Sequence, residues 1–221
     1  MKLITKRSQT QDVLARCRAA RCALFAPNGE LGAEIEGLLL GGQRFAEQFG
    51  IEELPIAVGM TGIYHDNAQF RKISTSCQTH EDLSGFSGGD VRQGCELWLR
   101  QLEVYQDLGD SFDRVRILPF IDHGWATAPE DRAILFDDSV VERMSIIMYD
   151  ASSLDYEENI RLTRAYVEHF GDRVVVEAAA DKFYDPKDVL ALKLSREDQL
   201  SDPDEVVRFV REAGVDLVVP N

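Results

Sequence analysis

Six short runs dense in aliphatic and β-branched residues recur along this chain, and the stretches between them carry helical periodicity or polar loop character; this alternation limits the possible folds more than any other feature. The runs are Cys22–Ala26, Leu54–Met60, Arg116–Ile121, Met144–Tyr149, Arg173–Glu177 and Val215–Val219. Strands that read as nearly continuous apolar runs are buried on both faces, which requires a parallel sheet covered by helices. The spacing between them predicts helices over Gln11–Ala20, Glu30–Phe49, Val91–Leu108, Ala128–Glu142 and Tyr156–Phe170. A last helix should start at Asp202-Pro203, with an N-cap and a proline in the first turn, and end near Gly214. Thr61–Gly89 shows no period and reads as an insertion over about 61–90 in an otherwise single domain of residues 1–221.

A covered parallel sheet is either open and doubly wound or closed into a (β/α)8 barrel of the TIM type. The turn after the first strand, Pro27-Asn28-Gly29-Glu30, lacks the G-x-G-x-x-G pattern that would bring a dinucleotide phosphate to a helix N-terminus. Polar residues instead recur at successive strand ends: Asn28, Asp122, His123, Asp150 and Glu177. In a barrel such ends converge on one mouth, so the expected fold class is α/β, a (β/α)8 barrel with about six strands evident.

Thirty-nine acidic against 24 basic residues give a formal net charge of −15, which opposes binding to nucleic acid or to an anionic membrane while leaving room for a small phosphorylated substrate. No apolar stretch approaches the roughly 20 residues of a membrane span. The start, Met1-Lys2-Leu3-Ile4 into Ser8-Gln9-Thr10, has no signal-peptide core, and a cytoplasmic location is expected. Cys17, Cys22, Cys77 and Cys95 contain no C-x-x-C pair and are expected as reduced thiols rather than a disulfide framework or a zinc knuckle.

The chemistry should gather at Ile121-Asp122-His123-Gly124, which follows the apolar run Val115–Phe120 and ends a buried strand. There a neutral histidine can ligate a divalent metal while the preceding aspartate, pointing the other way along the strand, moves a proton. The bland alternative for the pair is a helix cap with a buried polar partner; for Asp150 it is an N-cap, a job that Ser152, Ser153 or Asp155 can also do. Glu177 ends a run of valines and needs a partner if buried. His169 lies at a helix end, where it complements the dipole. Glu130-Asp131, Asp137-Asp138 and Glu157-Glu158 read as solvated helix faces.

The order of these motifs resembles the class II, metal-dependent fructose-bisphosphate (ketose-bisphosphate) aldolases. The residues that carry the likeness are Asp122-His123-Gly124, Met148-Tyr149-Asp150-Ala151-Ser152 and Val176-Glu177-Ala178-Ala179, with the helix Tyr156–Arg164 and the turn Ser201–Asp204. It is best from about Arg114 onward and fainter at the first strand, around Phe25 and Asn28. The resemblance implies a lyase of carbohydrate metabolism, placed in glycolysis, that acts on a sugar phosphate. Asp122 would move the proton of the substrate hydroxyl during carbon–carbon cleavage. His123 would ligate a catalytic zinc that polarises the ketose carbonyl, and Asp150 and Glu177 would belong to a second metal position. Asn28 would contact substrate.

Two departures stand beside it. Ala179 occupies the place of the family's second glutamate, and two zinc histidines and the phosphate-holding loops of the family come after the sixth strand, past Asn221. His65 and His80 in the insertion either replace those ligands or are solvated loop residues. The alternative to a zinc-dependent aldolase is therefore a truncated or non-catalytic barrel whose metal site is incomplete or is completed by another chain. Exposed strand edges would make such a protein a homo-oligomer.

Overall fold

A computed structural model describes residues 2–62, 90–108, 111–182, 184, 186–195 and 197–221 of the 221-residue chain. His65, His80, Cys77 and nearly all of the expected insertion lie outside the described residues. The elements are β1 (Lys2–Leu3), α1 (Arg7–Ala20), α2 (Gly32–Phe49), β2 (Leu54–Thr61), α3 (Val91–Asp107), β3 (Val115–Trp125) and α4 (Pro129–Leu135). They continue with α5 (Asp138–Val141), β4 (Ile146–Asp150), α6 (Tyr156–Phe170), β5 (Val175–Ala179), α7 (Pro186–Leu192), a 3-10 turn (Glu197–Gln199), α8 (Pro203–Ala213) and β6 (Leu217–Val219).

All the strand pairings are parallel, and from β2 to β6 neighbours in space are neighbours in sequence. Phe25 and Asn28 bridge to Ile56 and Gly59 of β2. The first expected strand is thus two contacts displaced toward Asn28, not a strand over Cys22–Ala26. β1, only two residues long, escapes any periodicity test and lies beside the start of β3, where Lys2 and Leu3 face Arg116 and Ile117.

Because strand side chains alternate, the sheet sorts its apolar residues into two layers. Ala57, Leu118, Phe120, Ile146, Met148, Val175 and Ala179 form an inner layer, closed at one end by Ile4 and by Val13 of α1. Ile56, Val58, Met60, Ile117, Ile121, Ile147, Tyr149 and Val176 face outward onto Ile35, Leu39, Trp98, Leu102, Tyr166 and Phe170 of the helices. Burial of each of the larger aliphatic and aromatic side chains is worth about 1.5–3 kcal/mol, so both faces of the sheet are committed. Trp98 adds direction, its Nε1 donating to the Gly29 carbonyl at 2.9 Å.

The helix expected over Ala128–Glu142 is two helices, because Asp137 accepts from the Ser139 N–H and starts α5 afresh. α1 starts at Arg7, ahead of the expected Gln11, and Arg7 reaches across to the far end of the chain. Its guanidinium donates to both Asp216 carboxylate oxygens at 2.6 Å and to the Val174 carbonyl at 2.7 Å, locking α1 under β5 and β6. Among the described residues no helix is long and apolar enough to cross a membrane.

Candidate active site

β2 and β3 run in register to the end of β2, with Thr61 opposite Asp122. That pairing fixes the first side of the site. Asn28 Nδ2 donates to Asp122 Oδ2 at 2.8 Å, and the Thr61 hydroxyl lies 3.4 Å from the same oxygen. The Asp122 carboxylate is thereby held by two neighbouring strand ends, and Asn28 reaches it because residue 59 is glycine: a Cβ there would overlap the Asn28 amide oxygen.

Alternation along a regular strand would send Asp122 and His123 to opposite faces. The structure differs, because the β3–β4 register slips between Ile121 and Gly124 and His123 adopts a left-handed backbone with φ 52°. A bulge of this kind re-aims a side chain at a cost of about 1–3 kcal/mol for the non-glycine residue. Here it turns the His123 ring back, so that Nε2 lies 3.9 Å from Asp122 Oδ1. Gly124 lets the bulge pack, since a Cβ there would run into the Leu135 side chain at 2.5 Å. Asp131, read from sequence as part of a solvated face, is buried instead; its Oδ2 accepts the Trp125 N–H at 2.9 Å and pins the strand just past the bulge.

Asp150 at the end of β4 is fully buried. Its Oδ2 meets His123 Nδ1 at 2.6 Å and its Oδ1 accepts the Ser152 N–H at 2.9 Å. An ionised carboxylate only accepts, so opposite one Nδ1 is the donor, and Nε2 is the ring nitrogen on the Asp122 side. Burial works to lower the His123 pKa, but the hydrogen bond and charge of Asp150, aided by Asp122 and Glu177, outweigh it and raise the value. Trp125 stacks against the ring at 5.8 Å between centroids. The N-cap of α6 is Asp155, which accepts from the Glu158 N–H, so Asp150 is free of that duty.

Glu177 on β5 completes the group. Burial first, and the nearby Asp122 charge second, push its carboxyl up to about 7, with His123 pulling the other way. The end of β5 is fixed by Asn159 of α6, whose amide donates to the carbonyls of Ala179 and Ala180 at 3.0 and 3.3 Å.

The structure thus brings Asn28, Asp122, His123, Asp150 and Glu177 to one end of the sheet, and sets His169 at the far end of α6 against the Phe170 ring. Thr61, Gly59, Trp125 and Asp131 were not singled out by sequence. Thr61 and Gly59 were detectable in principle, since extending the second strand by one residue pairs Thr61 with Asp122; Asp131 carries no local signal of burial.

As a metal position the group is partial. His123 offers one oriented nitrogen, but among the described residues no set of three or more His, Cys, Asp or Glu side chains is arranged to hold an ion. The described residues therefore do not by themselves fit the divalent metal that the motifs imply.

The profile of a family described as fructose-bisphosphate aldolase class-II matches residues 92–220. No curated protein matches the sequence. Among solved structures, the chain is similar to the fructose-bisphosphate aldolase of Campylobacter jejuni, with TM-score 0.66 and 13% identity over 99% of this chain and 58% of that one. It is also similar to a Coccidioides immitis protein assigned as a fructose-1,6-biphosphate aldolase, with TM-score 0.57 and 20% identity over 98% of this chain and 61% of that one. These likenesses show the α/β fold of the aldolase barrels. The chain spans about three fifths of the length of these relatives.

Proposed function

The chain belongs to the class II fructose-bisphosphate aldolase family, and from that premise we propose that it serves aldol cleavage and synthesis of a ketose phosphate, with Asp122 as the proton-transfer residue. The observation that supports this most is the held carboxylate: Asp122, fixed by Asn28 and Thr61, faces Nε2 of an imidazole that Asp150 holds through Nδ1. In cleavage, Asp122 takes the proton of the hydroxyl on one side of the breaking bond. A carbonyl forms on that carbon, the carbon–carbon bond breaks, and its electron pair moves to the carbon beside the ketose carbonyl. Asn28 and Thr61 keep the carboxylate aimed and return it to place when it gives the proton back in synthesis. We assign Asp150 to orienting His123, while Glu177, pushed up to about 7 and so about half protonated at pH 7, can hold or release a proton beside Asp122.

The cofactor the family implies is zinc or another divalent cation, with His123 as one ligand and further ligands from outside the described residues. The absence of a three-ligand group among those residues supports a second reading, a barrel completed by another chain. Metal analysis and activity separate the two. About one zinc per chain, lost in His123→Ala, with ketose bisphosphate cleavage falling roughly 10²–10⁴-fold in Asp122→Asn, supports the catalytic reading. A protein that binds no zinc and cleaves nothing leaves the assembly reading.

A further inference from the structure

α1 ends in a double hydrogen-bonded closure: the Cys22 N–H bonds the Cys17 carbonyl at 3.0 Å and the Arg21 N–H bonds the Arg18 carbonyl at 3.1 Å, with Arg21 left-handed at φ 52°. This is a Schellman motif, which is frequently accompanied by contact between the side chains at C3, three residues before the cap, and C″, two residues after it. Those two positions are Cys17 and Cys22. The Cys22 thiol lies 3.6 Å from the Cys17 carbonyl oxygen. Burial and hydrogen-bonding reach to the Cys22 thiol raise the Cys17 pKa, while Arg16 lowers it.

We propose that Cys17 and Cys22 form a fold-built dithiol that closes reversibly to a disulfide on exposure to a small-molecule disulfide of the glutathione type. The Cys22 thiolate, on the exposed side, attacks the reagent disulfide, making a mixed disulfide and releasing one reduced thiol. The half-buried Cys17 thiolate then attacks the Cys22 sulfur, the mixed bond breaks, and a second reduced thiol leaves. The two protein thiols lose two protons and two electrons, and one reagent disulfide becomes two thiols. Bridged cysteines need Cα atoms within about 4.4–6.8 Å, and both the N–H and the thiol of Cys22 already reach the Cys17 carbonyl, at 3.0 and 3.6 Å. Cys95 is fully buried and does not compete. Cys17 also packs against the inner layer beside Leu14 and Leu24, so the bond would tie the helix that closes the sheet to the segment leading to Asn28.

Trypsin makes the test direct, because it cuts after Arg16, Arg18, Arg21 and Arg44. The whole chain is equilibrated with oxidised glutathione, alkylated and digested. The expected product is peptide Cys17–Arg18 joined to Cys22–Arg44, from a protein lighter by two hydrogens and holding no glutathione at either position. The same equilibration in urea should favour the bond by roughly tenfold less, and Cys17→Ser should trap glutathione on Cys22. Glutathione retained on both wild-type cysteines, linkage of either to Cys77, or equal closure in urea and native buffer would overturn the proposal.

Discussion

Gly59 leaves the space that the Asn28 amide occupies on its way to Asp122, so an alanine there tests whether the held carboxylate matters. Gly59→Ala should displace Asn28 and lower cleavage about as much as Asn28→Ala does. A hydrogen bond to a charged group is worth about 1.5–3 kcal/mol, which is roughly a ten- to hundredfold loss in kcat/KM. Wild-type kinetics in Gly59→Ala would remove Asn28 from the mechanism. Glu177 allows a test that needs no substrate. Its carboxyl titrates near 7 when folded against an ordinary 4.5. The folded chain therefore binds more protons between those values, and stability falls as pH rises through that window, by at most about 3 kcal/mol at 1.36 kcal/mol per unit. His123 acts in the same sense, since its raised pKa gives stability at low pH that is lost as pH rises past it. Urea midpoints measured in a chelator from pH 5 to 8 should drop in the wild type and drop less in Glu177→Gln; parallel curves would show that Glu177 is solvated.

At the scale of elements, two carboxylates hold segments that local sequence cannot connect. The Arg7–Asp216 pair, with side chains 22% and 19% exposed, fastens α1 beneath the last strands. After discount for that exposure, Arg7→Ala should cost about 1–2 kcal/mol and lower Tm by several degrees. Asp131→Ala should cost about 1–3 kcal/mol by stranding the Trp125 N–H, and should loosen the His123 bulge, read as faster amide exchange at Trp125. The same pairs mark the limit of what the sequence discloses. Val115–Phe120 and Tyr156–Phe170 announce themselves because burial imposes a local period, and Asp122, His123, Asp150 and Glu177 are visible as polar ends of apolar runs. Arg7 finds its partner 209 residues away, and no window contains both. Asp131 looks solvated beside Glu130 because it is buried by tertiary contacts, α4 on β3 and the close approach of Gly62, that no local window contains. The turn of His123 toward Asp122 is equally hidden, since alternation predicts the opposite and the bulge depends on how β4 pairs.

Across the whole molecule, the Phe25–Asn28 segment beside β2 and β6 beside β5 are each paired on one side among the described residues, leaving outer edges there. Near the first edge Phe25, Phe45 and Phe49 are 60%, 49% and 61% exposed, and Phe25 and Phe45 flank an apolar groove of about 370 Å³ with Leu38, Leu54 and Ile56. Exposed apolar area of this kind favours association. A net charge of −15 opposes it. Which wins depends on salt, because repulsion between like-charged chains is screened over about 10 Å at 0.1 M and about 3 Å at 1 M, whereas apolar burial is not weakened by screening. Sedimentation velocity should therefore show a largely monomeric chain at low ionic strength and a growing oligomer as sodium chloride is raised. Phe25→Lys combined with Phe45→Lys should keep the chain monomeric throughout. Association that weakens with salt would mean that charge pairing, not the apolar edge, joins the subunits, and a monomer under all conditions would leave the edge to a partner of different sequence.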